Sequence, residues 1–272
     1  MRTTASGLDH PTAGRTSASS LSRFSDRWLF VLMAVWFIAI TLTGFIPTSL
    51  EKIAAVEAGM RPPLPMMLHA HAVLMGAFLV LLLVQALLVA TGRQQHHQKL
   101  GLAGMVLAPA IVVVGFLLVP IIHHDVWGMM QAAPPEVQAE LQQVMVFIRN
   151  IMLLQIQVGI LFTIYIGIAL YLRKSDSAMH KRLIFLAVAL PLPAALDRID
   201  WLPHTMPETP LSSFLYILLA VAPMFIWDVL RTRKVHQAYR IWLAGFLPSS
   251  VLIYLVWDTD WWQATAARLV GL

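Results

Sequence analysis

Ten histidines, no cysteine and a few stranded charges are the residues of this 272-residue sequence that could do chemistry. Apart from His10, the histidines border apolar runs in two groups. His69, His71, His123, His124 and His204 lie on one side, and His96, His97, His180 and His236 on the other. Neutral imidazole ligates zinc, copper and haem iron, and a carboxylate can complete such a shell. His69-Ala-His71 opens one apolar run and His123-His124-Asp125 closes the next. If those two runs form an antiparallel hairpin, the clusters should meet at one depth, with His69, His71, His123, His124 and Asp125 as metal ligands. Met66-Met67 and Met129-Met130 flank them. Thioether beside imidazole suits Cu(I), although methionine is equally an ordinary gap filler. Helical positions i and i+2 point about 200° apart, so His69 and His71 converge on one ion only where that turn is frayed. The absence of Cys removes disulfides, iron–sulfur clusters and thiol nucleophiles.

The stranded charges are Arg149, Asp197, Arg198 and Asp200, each at the edge of an apolar run. Ionisable groups there are costly unless paired or facing a cavity, and Arg149–Asp197 is the expected pair. Guanidinium forks also suit carboxylates, so Arg149 and Arg198 are candidates for haem propionates or an anionic substrate. A helix-locking ion pair with no ligand explains the same residues. Asn150 and Gln157, at i and i+7, share a helix face.

Positioning these groups is the work of membrane helices. The chain is 58% hydrophobic and 12% charged, with a mean hydropathy of +0.72, where soluble chains are roughly 45–50% apolar and about 25% charged. A soluble enzyme, a nucleic-acid binder and a disordered chain are excluded as whole-chain readings. The fold class is an all-α polytopic membrane bundle of seven helices. The first, Trp28 to Ile46, is uncharged over 19 residues, enough to cross about 30 Å of hydrocarbon. The others run at 67–90, 101–122, 146–172, 183–198, 211–230 and 240–257. The tail and segments 91–100, 173–182 and 231–240 carry 14 of the 19 Lys and Arg. By the positive-inside rule this predicts an N-terminus in the cytoplasm and a C-terminus outside, and the expected location is a bacterial inner (cytoplasmic) membrane.

Three regions follow: a disordered cytoplasmic tail over 1–27, the seven-helix domain over 28–258, and a short interfacial tail over 259–272. The fifth span is the weak one. Only 14 residues separate Arg182 from Asp197, interrupted by Pro191 and Pro193, about 21 Å of helix. Segment 123–145 reads as the longest outside loop, with a short surface helix from Pro135.

The segment His97-Gln-Lys-Leu-Gly101 opens the third span, and Met179-His180-Lys-Arg-Leu183 opens the Pro-containing fifth. Two histidines at one depth are the minimum for bis-imidazole haem ligation, and equally what histidines used as basic loop residues would give. With the His-rich second span, these turns resemble bacterial polytopic membrane proteins of the kind of diheme cytochromes b and ferric-reductase transmembrane domains. The resemblance covers about residues 65–200. It implies haem b or a quinone-linked redox role, with His69 or His71, His97, His123 or His124, and His180 as ligand positions. The implied partners are the lipid bilayer and a quinone or redox protein, and no nucleic acid. Two other readings stay open: copper or zinc transport or delivery through the His/Met/Asp cluster, and a non-catalytic scaffold or assembly factor. Phosphate-binding Gly-rich loops, His-Glu-x-x-His and Gly-x-Ser-x-Gly are absent from the sequence.

Overall fold

The computed structural model describes residues 13–272, with side chains from Arg27 onward. The described residues form α1 (Ala13–Glu57), α2 (Met66–Ala90), α3 (Gln94–Ala132), α4 (Pro135–Leu172), α5 (Ser177–Ala189), α6 (Pro193–Leu196), α7 (Leu211–Thr232), α8 (Gln237–Val256) and α9 (Asp260–Val270), with no strand among them. Seven segments are long and apolar enough to cross a membrane: α1 from Arg27, α2, α3, α4, α5 with α6, α7 and α8. Hydrocarbon offers no partner to a free N–H or C=O, so helices satisfy the backbone of such runs internally. The chain is a helical integral membrane protein. Val73, Val106 and Leu255 are more than half exposed, which lipid accommodates and water would not.

Three boundaries differ from the sequence reading. Helix α1 begins at Ala13, within the stretch read as a disordered tail, of which residues 1–12 lie outside the described residues. The expected loop over 123–145 is absent: α3 continues to Ala132 and α4 starts at Pro135. Pro134 and Pro135 make the break, because proline disfavours helical backbone in the residue before it and is at home in a first helical turn. At about 58 Å, the 39-residue α3 outruns the hydrocarbon and projects beyond it. The tail over 259–272 is largely α9, which buries Trp262, Ala266 and Val270 against α3 and α4. Thr259 caps its start, accepting from the Trp262 N–H.

Each of α1 to α5 packs on the next, and α5 also reaches α1, so these five close into a ring. Phe78 of α2 and Phe162 of α4 meet edge-to-face at 5.8 Å across its interior. Helix α5 is the hub, packing on α1, α4, α7 and α8. Its span is 67% buried, against 17–39% for the others. The short fifth span is accommodated by a break: α5 ends at Ala189, and α6 resumes at Pro193 against α1. We call the end holding residues 91–93, 173–176 and 233–236 the basic end, and the end with α6 and α9 the far end.

Candidate functional site

At the basic end, three helices place polar groups together. His71, Phe78 and Gln85 recur every seven residues on α2 and so share one stripe. Gln85 lies against α3, where a Cβ on Gly101 would be 3.4 Å from its Nε2, and its Oε1 is buried with no partner. His97, near the start of α3, approaches the Gln85 backbone carbonyl and keeps its Nδ1 buried without a partner. His180 of α5 donates its Nδ1–H to the Ala169 carbonyl of α4 at 2.8 Å, which leaves Nε2 as the free lone pair. The His97 charge acts on His180. Asp176 starts α5 one turn earlier, accepting the Met179 N–H at 2.9 Å, and so sets where His180 stands.

The far-end cluster does not assemble as expected. His71 abuts Gly115, with 3.7 Å from its Cε1 to a Cβ built there. His123 stands eight positions beyond Gly115 on α3, about 12 Å of helix. Because α3 runs past the start of α2, His69 and His71 do not meet His123, His124 and Asp125. His69 and Asp125 are exposed, and His124 donates instead to the Val270 carbonyl at 2.8 Å. Among the described residues no group of three or more His, Asp or Glu is placed to hold a metal ion.

The Arg149–Asp197 pair is likewise not formed. Arg149 stands on α4, which packs on α3, α5, α8 and α9, whereas Asp197 follows α6, which packs on α1 and α7. Asp197 accepts from the Ser213 hydroxyl at 2.8 Å, and its other oxygen is buried without a partner. Burial pushes its carboxyl above the usual range, against the Ser213 hydrogen bond and the His204 and Arg198 charges. His123 and Arg149 do come together. His123 is 2% exposed, gives its Nδ1–H to Val119, and has Nε2 buried and free within reach of the Arg149 charge. Helix α9 roofs them: Trp262 donates to the Arg149 carbonyl, and Gln263 to Asn150, which also holds Asp258. Gln157, on the Asn150 face, donates to Ser249 and Ser250.

Sequence reasoning missed Gln85 and the ion pair of Arg182 with Asp228, closed in two places at 2.6 and 2.7 Å. Tyr239 donates its hydroxyl to the same carboxylate at 2.6 Å, tying α5, α7 and α8 at the basic end. The available signal was Asp228 itself, a lone carboxylate in an apolar run. His236 borders this network and caps α8, its Nδ1 accepting the Ala238 N–H at 3.2 Å. Burial, then the Arg182 and Lys181 charges, hold the His236 imidazole below its ordinary value, while Asp228 and Asp176 pull it up. The folded state therefore binds fewer protons here than the unfolded one. Its contribution is complete above the ordinary histidine value of 6.5 and is lost as pH falls from there through the folded value. His236→Asn, a good cap that does not titrate, is expected to flatten the fall in unfolding temperature between about pH 7 and 5; an unchanged slope would refute the assignment.

Comparison with known protein families, with curated proteins and with solved structures finds no match.

Proposed function

We propose that this integral membrane protein is an electron carrier, and that His97 and His180 are the residues that would hold haem b at its basic end. One observation carries the reading. On α3 and α5 stand two imidazoles, each with a free ring nitrogen, and His180 lies within reach of the His97 charge. A ligating histidine commonly donates its other N–H to a carbonyl, which fixes its tautomer and aim, and His180 does this with Ala169. Bound between them, the iron would supply one-electron chemistry, and a lipid-soluble quinone or a redox protein would be the partner. Copper or zinc transport lacks comparable support, because the far-end donors stay apart.

The absorption spectrum of the detergent-solubilised protein tests this. A Soret band is expected in the wild type, lost in His97→Ala and His180→Ala and kept in His69→Ala. No Soret band, either as purified or after reconstitution with haem, refutes the reading and leaves a structural scaffold. We also propose a cytoplasmic N-terminus, which the basic loops support. Because the chain has no Cys, single cysteines at Lys234 and Asp258 can be labelled in intact cells. Only the second should react with an impermeant maleimide.

A further inference from the structure

Three cations converge at the far end from separate parts of the chain. Lys52 stands late in α1, Arg61 lies in the α1–α2 connection, and Arg198 directly follows α6. Lys52 lies close enough to Arg198 and Arg61 to feel both charges, with Glu51 as the one acidic neighbour acting on it. None of the three makes an ion pair among the described residues. Arg61 has its Nε buried without a partner. The Arg198 guanidinium lies over the Phe45 ring, 4.9 Å from its centroid, and gives one N–H to the Ala194 carbonyl. Asp197 acts on Arg198 through its charge but forms no ion pair with it, its carboxylate accepting instead from Ser213. Orientation signals do not explain these cations either, because they sit opposite the basic loops.

We propose that Lys52, Arg61 and Arg198 form a binding site for a phosphate group, carried by an anionic lipid headgroup or by a soluble phosphate compound. The donor set fits that chemistry. A tetrahedral oxyanion accepts from several directions at once, from planar guanidinium forks and from the point charge of an ammonium. The depth fits a lipid. Phe45 belongs to the apolar stretch of α1, and Lys52 stands seven residues, about 10 Å, further along the helix. The cluster thus spans from the hydrocarbon edge into the layer where bilayer phosphates lie. The site is separate from His97 and His180 and does not rest on haem binding.

The test uses the full-length protein in detergent, with unfolding temperature and native mass spectrometry as readouts. The probes are phosphatidylglycerol, zwitterionic phosphatidylcholine and inorganic phosphate. The wild type is expected to keep phosphatidylglycerol adducts and to be stabilised by that lipid, not by phosphatidylcholine. The triple variant Lys52→Gln/Arg61→Gln/Arg198→Gln should bind it at least tenfold more weakly, and Arg268→Gln should behave as wild type. Protection by inorganic phosphate that is lost in the triple variant also supports the site and assigns it to a soluble ligand. Should the triple variant fail to fold, Arg61→Gln, in a connecting segment, is expected to lose at least threefold in affinity. Equal responses in wild type and variants, or no response to either anionic probe, overturn the proposal.

Discussion

Asp228→Ala is expected to destabilise the bundle by about 3–5 kcal/mol, the usual cost of stripping one partner from a buried ion pair. Arg182 and Asp228 are 9% and 4% exposed, so neither is solvated by the bulk. The alanine variant strands a guanidinium and the Tyr239 hydroxyl around an empty position. Arg182→Met/Asp228→Leu should recover most of the loss, because apolar residues of similar volume replace a buried pair at little net cost. Denaturation in mixed micelles with increasing SDS measures both. A loss under about 1 kcal/mol in Asp228→Ala would place the pair with solvated surface bridges and refute its role. The effect should reach the proposed haem site, because His180 stands two residues from Arg182 on the same first turns of α5. Haem content should therefore fall with stability in Asp228→Ala and return in the double variant.

The second large effect is expected at Gly44. A Cβ added there would sit 2.6 Å from the Ala195 carbonyl carbon and 2.9 Å from its Cα, and backbone cannot rotate aside as a side chain can. Replacing a mid-helix glycine by alanine normally gains up to about 1 kcal/mol, but overpacking costs about 1–3 kcal/mol or more, so the sign should be destabilising. Gly44→Val should be worse still. Gly76→Ala in α2 and Gly167→Ala in α4 meet nothing within 4 Å and serve as controls of the same chemistry. If Gly44→Ala unfolds at the same SDS fraction as these, α6 does not dock on α1 as described.

The seven spans were legible because a bilayer tolerates little besides apolar residues along a crossing helix, and that constraint is written into composition. Helix ends beyond the bilayer were not. Polar residues after His123 read as loop, whereas α3 carries them outward until Pro134 and Pro135 stop it. The same overrun hid the histidine pairing. Depth along the chain brought His71 level with His123, but the stagger of α2 against α3 sets it opposite Gly115 instead. Arg149 and Asp197 failed as a pair for a lateral reason: α4 packs on α3, α5, α8 and α9 whereas α6 packs on α1 and α7, and no spacing in the sequence encodes lateral neighbours. His97 and His180 each stand near the start of a helix, where position along the chain nearly equals depth.

The central place of α5 has a bearing on how the protein is made. The segment that ends most enclosed is poorly suited to enter a bilayer alone: thirteen helical residues, Lys181 and Arg182 at its start, and Pro191 and Pro193 interrupting its far half. The carboxylate that neutralises Arg182 emerges 46 residues later. On synthesis, therefore, α5 must shelter against helices already inserted, and its Phe185 meets Phe30 and Phe37 of α1 at 5.2 and 5.9 Å. The arrival of α7 then brings Asp228 to pair with the waiting guanidinium and closes the assembly, which makes the order of the helices along the chain part of the instruction for building it.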